Sequence, residues 1–102
     1  MTFRIVLSLL ARSDLDELSE WIERHANQAV ADAYDARLRA SIQKLDHFPD
    51  RGSLRLDLGE GLRSVTFRRR ITIVFKVCDD IVEIIRIVGA ERDLPTLFTA
   101  LD

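Results

Sequence analysis

The chain has 102 residues, 47% of them hydrophobic, with a formal net charge of −2 and a single cysteine. That length suits one domain spanning residues 1–102 with a modest core, and the apolar content argues against disorder. No apolar run approaches the roughly 20 residues of a membrane-spanning helix, the first residues lack a signal peptide's layout, and Cys78 alone permits no internal disulfide, which together point to a reducing cytoplasm and away from a membrane.

Thr2 to Leu7 reads as a short strand, with Phe3, Ile5 and Leu7 on one face and Thr2, Arg4 and Val6 on the other. Ser8 is an N-cap for a helix running to about His25, whose apolar stripe is Ala11, Leu15, Leu18 and Ile22. Asp14, Asp16, Glu17, Glu20 and Glu23 fall mostly on its other sides. Asn27 caps a second helix over about 28–47, with a stripe of Tyr34, Leu38, Ile42 and Leu45 and a small-residue edge of Ala29, Ala33, Ala36 and Ala40. The short link around His25 to Asn27 sets the two helices antiparallel, as a hairpin. Pro49 and Gly52 end the second helix, and residues 53–62 form an irregular connection in which Leu54, Leu56 and Leu58 allow a brief edge strand.

Residues 63–94 organise the chain. Val, Ile, Thr and Phe dominate there, and their branched or aromatic side chains fit a pleated surface. Arg68 to Arg70 and Cys78-Asp79-Asp80 interrupt the run, so it divides into strands at roughly 63–67, 71–78 and 81–88 joined by two tight hairpins. Ile81 to Val88 is apolar at six of eight positions, as expected of a strand inside a sheet. A short helical tail follows Leu94-Pro95, with Leu97, Phe98 and Leu101 able to pack back. The predicted fold is α+β: an N-terminal strand, an antiparallel helical hairpin packed on a mainly antiparallel sheet, and a short C-terminal tail.

Charge is unevenly placed. Residues 1–50 hold 6 basic and 9 acidic side chains, and residues 51–102 hold 9 and 8. Arg63 and Arg68 to Arg70 form a basic block with no acid among residues 61–78. Bulk charge therefore does not mark a nucleic-acid binder, although a local patch is present. Arg68 to Arg70 read either as a solvated turn or as a contact. Arg86, inside an apolar strand, needs a partner such as Glu83 or Asp93, or else serves a target. No metal-ligand spacing, phosphate-binding glycine loop or nucleophile motif appears, so neither metal nor cofactor is expected.

In order along the chain, four short motifs accompany these elements. They are Ser8, Ala11, Asp14 and Leu15 at the first helix; Leu45, Pro49 and Gly52 at the second helix exit; Gly61-Leu62-Arg63 at the sheet entry; and Ile85-Arg86-Ile87-Val88 followed by Arg92-Asp93-Leu94. With this element order the chain resembles the ParE/RelE superfamily of type II toxin–antitoxin toxins, closest to the ParE branch. Gly89 departs from the pattern, standing where many relatives have His.

The resemblance implies a growth-arresting toxin of a ParDE-like module that inhibits DNA gyrase by binding. It also implies a cognate ParD-like antitoxin with a ribbon-helix-helix domain, so that operator DNA is met only through the antitoxin. The RelE branch implies instead a ribosome-dependent mRNA endonuclease, and a third reading is a non-toxic module that only binds antitoxin. RNA cleavage needs a proton donor and acceptor. Here Phe98 stands approximately where RelE-like relatives have a tail tyrosine, His25 and His47 fall at helix ends, and arginine stays protonated. The expectation is accordingly no catalytic residue. Arg63, Arg86, Arg92 and Asp93 are the candidates for target binding. The apolar side chains exceed what one small core face requires, and Trp21, Tyr34, Leu38 and Phe75 are the candidates for antitoxin contact.

Overall fold

A computed structural model describes residues 2–47 and 52–89. The elements are β1 (Arg4–Leu7), α1 (Leu9–His25), α2 (Gln28–Gln43), a 3-10 turn (Lys44–Asp46), β2 (Ser53–Leu54), β3 (Leu62–Phe67), β4 (Ile71–Cys78) and β5 (Ile81–Gly89). The strands form one sheet in the order β1-β5-β4-β3-β2, antiparallel except for the parallel β1–β5 pair. Two helices packed on a mostly antiparallel five-stranded sheet make this an α+β fold, as the sequence predicts.

Local chemistry explains the helix starts. The Ser8 hydroxyl accepts from Ala11 N–H at 3.0 Å, and the Asn27 side chain accepts from Val30 N–H at 2.9 Å, so each cap satisfies an amide that lacks a helical partner. The second helix is shorter than the expected 28–47, because it tightens into the 3-10 turn at Lys44. That turn keeps Leu45 in the core, and its Asp46 carbonyl accepts from Phe3 N–H at 2.8 Å, which ties the start of the chain beneath it.

The core lies between the helices and the sheet. Ala11, Leu15, Leu38, Ile42 and Leu45 meet Ile73, Phe75, Val82, Ile84 and Ile87 there. Phe3, Ile5 and Leu7 join this core while Arg4 and Val6 are exposed, which is the expected alternation. The opposite sheet face has a smaller cluster of Val74 and Val88 with Leu58, Leu62 and Ile85 packed against it. As expected β5 is interior, and β4 is interior too, with Ile71 to Phe75 all buried.

Two turns set the sheet entry and the hairpin tip. Gly52 has φ 83°, and a Cβ there would collide with the Ser64 carbonyl oxygen, so the Gly52 of the helix-exit motif is required by both backbone angle and space. At the β3–β4 tip Arg68 and Arg69 have φ 53° and 60°, with Arg70 N–H donating to the Phe67 carbonyl at 3.1 Å. Two consecutive left-handed residues give the turn the twist of its flanking strands, a geometry that Asn or Gly usually supplies. Arginine takes it here at a conformational cost.

Candidate functional site

β1 and α1 together cover the outer edge of β5. β1 pairs with it only from Ile81 to Ile84. Where β1 ends, side chains from the start of α1 continue the bonding. Ser8 Oγ donates to the Ile85 carbonyl at 2.8 Å, and Ile87 N–H donates to Asp14 Oδ2 at 2.8 Å. Asp14 also receives Arg86, with Nε at 2.8 Å from Oδ2 and Nη2 at 3.0 Å from Oδ1. The side chains of Arg86 and Asp14 are only 13% and 9% exposed, so this bidentate pair is largely desolvated. Hydrogen bonding to Asp14 outweighs the cost of burial and raises the Arg86 pKa, which keeps the guanidinium charged.

This result corrects two expectations. The partner of Arg86 is Asp14, 72 residues earlier in the chain, rather than Glu83, which is exposed on the same strand. Asp14 does not face away from the core but turns toward the sheet. Its place was visible in the helix spacing, because it stands three residues after Ala11 and four before Leu18, on the border of the apolar stripe.

Beside the pair lies an open groove of about 800 Å³ between α1 and the end of the sheet. Leu18, Ile22, Tyr34, Ile71 and Ile87 supply its apolar lining; Glu17, Glu20 and Arg24 line it from α1, and Arg69 and Arg70 from the hairpin tip. Trp21, 52% exposed, stands in its wall and stacks on His25 with ring centroids 4.1 Å apart. Tyr34 is partly buried and meets Phe67 edge-on at 5.4 Å.

The groove thus brings together Arg86, Trp21 and Tyr34 from the candidates named by sequence. Arg63 is partly buried on β3 and does not line it. Leu38 and Phe75 are both 0% exposed, so they are core residues rather than surface contacts: Leu38 lies on the inward stripe of α2 and Phe75 on the helix-covered side of β4. Arg92 and Asp93 lie outside the described residues. Arg24, Arg69 and Arg70 were not singled out as groove residues, and no local pattern could place them together, because the helix end and the hairpin tip meet only in the fold. His25 Nδ1 lies 2.8 Å from the Trp21 carbonyl, and His47 lies beside Asp46, so both imidazoles are held at helix ends. Among the described residues no group of His, Cys, Asp and Glu could hold a metal ion, and no helix is long and apolar enough to cross a membrane.

Comparison with known proteins places these features. No curated protein matches the chain in sequence. The fold is that of a chromosomal ParDE toxin–antitoxin system from P. aeruginosa, with a TM-score of 0.78, 20% identity, and coverage of 88% of this chain and 98% of that one. The RelBE2 toxin–antitoxin complex from Mycobacterium tuberculosis is similar at a TM-score of 0.61 and 19% identity, over 87% and 99% of the two chains. A conserved hypothetical protein from Helicobacter pylori is similar at 0.51 and 19%, over 87% and 94%. Residues 5–94 match the family described as the ParE toxin of type II toxin–antitoxin systems, parDE. The matched span begins in β1 and includes both Asp14 and Arg86, and the chain belongs to the ParE toxin family.

Proposed function

We propose that this ParE-family chain arrests growth by binding DNA gyrase rather than by cleaving RNA, and that a ParD-like ribbon-helix-helix antitoxin neutralises it in the cytoplasm. The observation that carries the binding reading is that no histidine lines the groove beside Arg86. His25 is stacked on Trp21, His47 sits beside Asp46, and the Arg86 guanidinium is locked onto Asp14. Phe98 adds no hydroxyl to the tail. What the surface offers is a set of contacts: an arginine tip, a half-exposed tryptophan and an apolar groove, the residue types that dominate protein interfaces.

The test is a supercoiling assay with purified gyrase alongside a purified translation system. The chain inhibits supercoiling and leaves ribosome-bound mRNA intact. Codon-specific cleavage with supercoiling unaffected would overturn the proposal. Arg63→Ala and Arg92→Ala lower toxicity in a growth assay. Full toxicity in both variants would remove these two arginines from the target-binding surface.

A further inference from the structure

The two hairpin turns of the sheet carry opposite charge. β3 leads into β4 through Arg68, Arg69 and Arg70, and β4 leads into β5 through Asp79 and Asp80. The eight residues of β4 separate these turns, which amounts to roughly 26 Å at about 3.3 Å per residue. That distance exceeds the screening length of about 8 Å at physiological salt, so the acidic turn does not cancel the basic one.

All three arginines of the tip are exposed, and among the described residues none is in an ion pair. The Arg68 guanidinium rests over the Phe67 ring, 5.3 Å from its centroid. Arg24, from the last turn of α1, lines the same groove as Arg69 and Arg70 and is likewise outside any ion pair there. Of the described carboxylates in that groove, Asp14 is bonded to Arg86 and Glu17 acts on the same guanidinium, which leaves Glu20 against four arginines. The backbone adds a second observation. Arg68 and Arg69 both take left-handed conformations, with φ 53° and 60°, at a turn where Asn and Gly would be relaxed. Strain of this kind, kept in two adjacent arginines, points to a use for their guanidinium groups.

We propose that this tip is a phosphate-contacting site, and that Arg68, Arg69 and Arg70 each meet a backbone phosphate of the DNA duplex on which gyrase acts. The placement on gyrase-held DNA rests on the gyrase reading above; the contact with a duplex is a property of the tip itself. A guanidinium is always charged, and its planar fork suits phosphate oxygens. A duplex fits better than a single strand, because single strands are held by bases stacked on open aromatic faces. Here Trp21 is already stacked on His25, and Phe67 is buried. Three contacts also agree with a chain of net charge −2: the tip adds to a complex with DNA and does not make a tight one alone.

The experiment uses the full chain and a short fluorescein-labelled DNA duplex, read by anisotropy across a salt series. Three phosphate contacts give a slope of log K against log salt of about −2.7, so binding weakens roughly 40-fold between about 50 and 200 mM salt. The first variant combines Arg68→Asn with Arg69→Gly, the residues that this turn favours. It melts no lower than the parent, and its slope falls to about −0.9, the value for one remaining contact. The second, Arg70→Gln, lies outside the left-handed pair and lowers the slope by about 0.9. Equal slopes in parent and variants, or no binding of the duplex by the parent at about 50 mM salt, overturn the proposal. Tighter binding to single-stranded RNA of the same length overturns it in favour of an RNA contact. Gyrase separates the two levels. The parent binds DNA-loaded gyrase at least about ten-fold more tightly than gyrase alone, the scale of one charge-assisted hydrogen bond. The double variant loses that gain and keeps the affinity for gyrase alone. If it loses affinity for gyrase alone instead, the tip meets an acidic protein surface and the proposal is overturned. If the parent binds gyrase neither with DNA nor without it, and supercoiling is unaffected, the gyrase reading fails and the placement on gyrase-held DNA fails with it, while the slopes on the free duplex still decide the tip.

Discussion

Replacing Asp14 by Ala is the most informative single perturbation of this fold. The carboxylate accepts three hydrogen bonds, two from Arg86 and one from Ile87 N–H, in a site where both side chains are mostly shielded from water. Its removal leaves a guanidinium and a strand amide without partners, and breaking such a pair costs roughly 3–5 kcal/mol. Arg86→Ala leaves the carboxylate one remaining donor, Ile87 N–H, so its cost is at the lower end, about 3 kcal/mol. Against a total stability of about 5–15 kcal/mol for a domain, either loss is large. At about 4–8 °C per kcal/mol for a chain near this size, each variant melts at least about 12 °C below the parent. Asp14→Asn keeps an oxygen for Ile87 N–H but sheds the charge, and loses about half as much as Asp14→Ala because charge-assisted bonds are about twice as strong as neutral ones. The assay is urea unfolding of the parent, both alanine variants and the Asp14→Ala/Arg86→Ala double variant. The double variant is destabilised by less than the sum of the two, with a coupling of about 1–3 kcal/mol. Single variants within 1 kcal/mol of the parent, or losses that simply add, would refute the account of the pair as a desolvated clamp between α1 and β5.

The remaining predictions concern the same edge, the surface and pH. Ser8→Ala removes both the cap to Ala11 N–H and the bond to the Ile85 carbonyl, so it destabilises by about 1–3 kcal/mol, whereas Ser8→Thr retains most of the stability, as thermal melts will show. Trp21→Asp leaves the fold intact, because the side chain is half exposed, and weakens antitoxin binding measured by calorimetry; unchanged affinity would remove Trp21 from that interface. Hydrogen bonds from Arg55 hold the Asp57 carboxyl below its usual pKa of 3.8, so its contribution is present above pH 3.8 and is lost as pH falls through the lower folded value. Asp57→Asn therefore narrows the stability difference between pH 7 and pH 2 relative to the parent, and an unaltered acid limb of the melting profile would count against the pairing.

Much of the fold was legible because the signals are local. Ser8 and Asn27 announce the helix starts by the chemistry of their own side chains, and the alternation in Phe3, Ile5 and Leu7 assigns a strand face within six residues. The breaks at Arg68 to Arg70 and at Asp79-Asp80 placed both hairpins, since turns are short-range events. The order of motifs along the chain pointed to the family that residues 5–94 match.

What the sequence alone did not determine is who meets whom across distance. Nothing near Arg86 names Asp14, because the pair forms only when β1 lies parallel beside β5 and so brings the start of α1 over the strand's free edge. Leu38 and Phe75 look like any other apolar residues in the chain, and only the packing of α2 over β4 decides that they are enclosed while Trp21 is not. The groove follows the same logic, for it joins residues from α1, α2, the β3–β4 tip and the end of β5. Side-chain periodicity fixes direction within one element; the relative placement of elements is set by burying their apolar faces together, and that is a property of the whole chain.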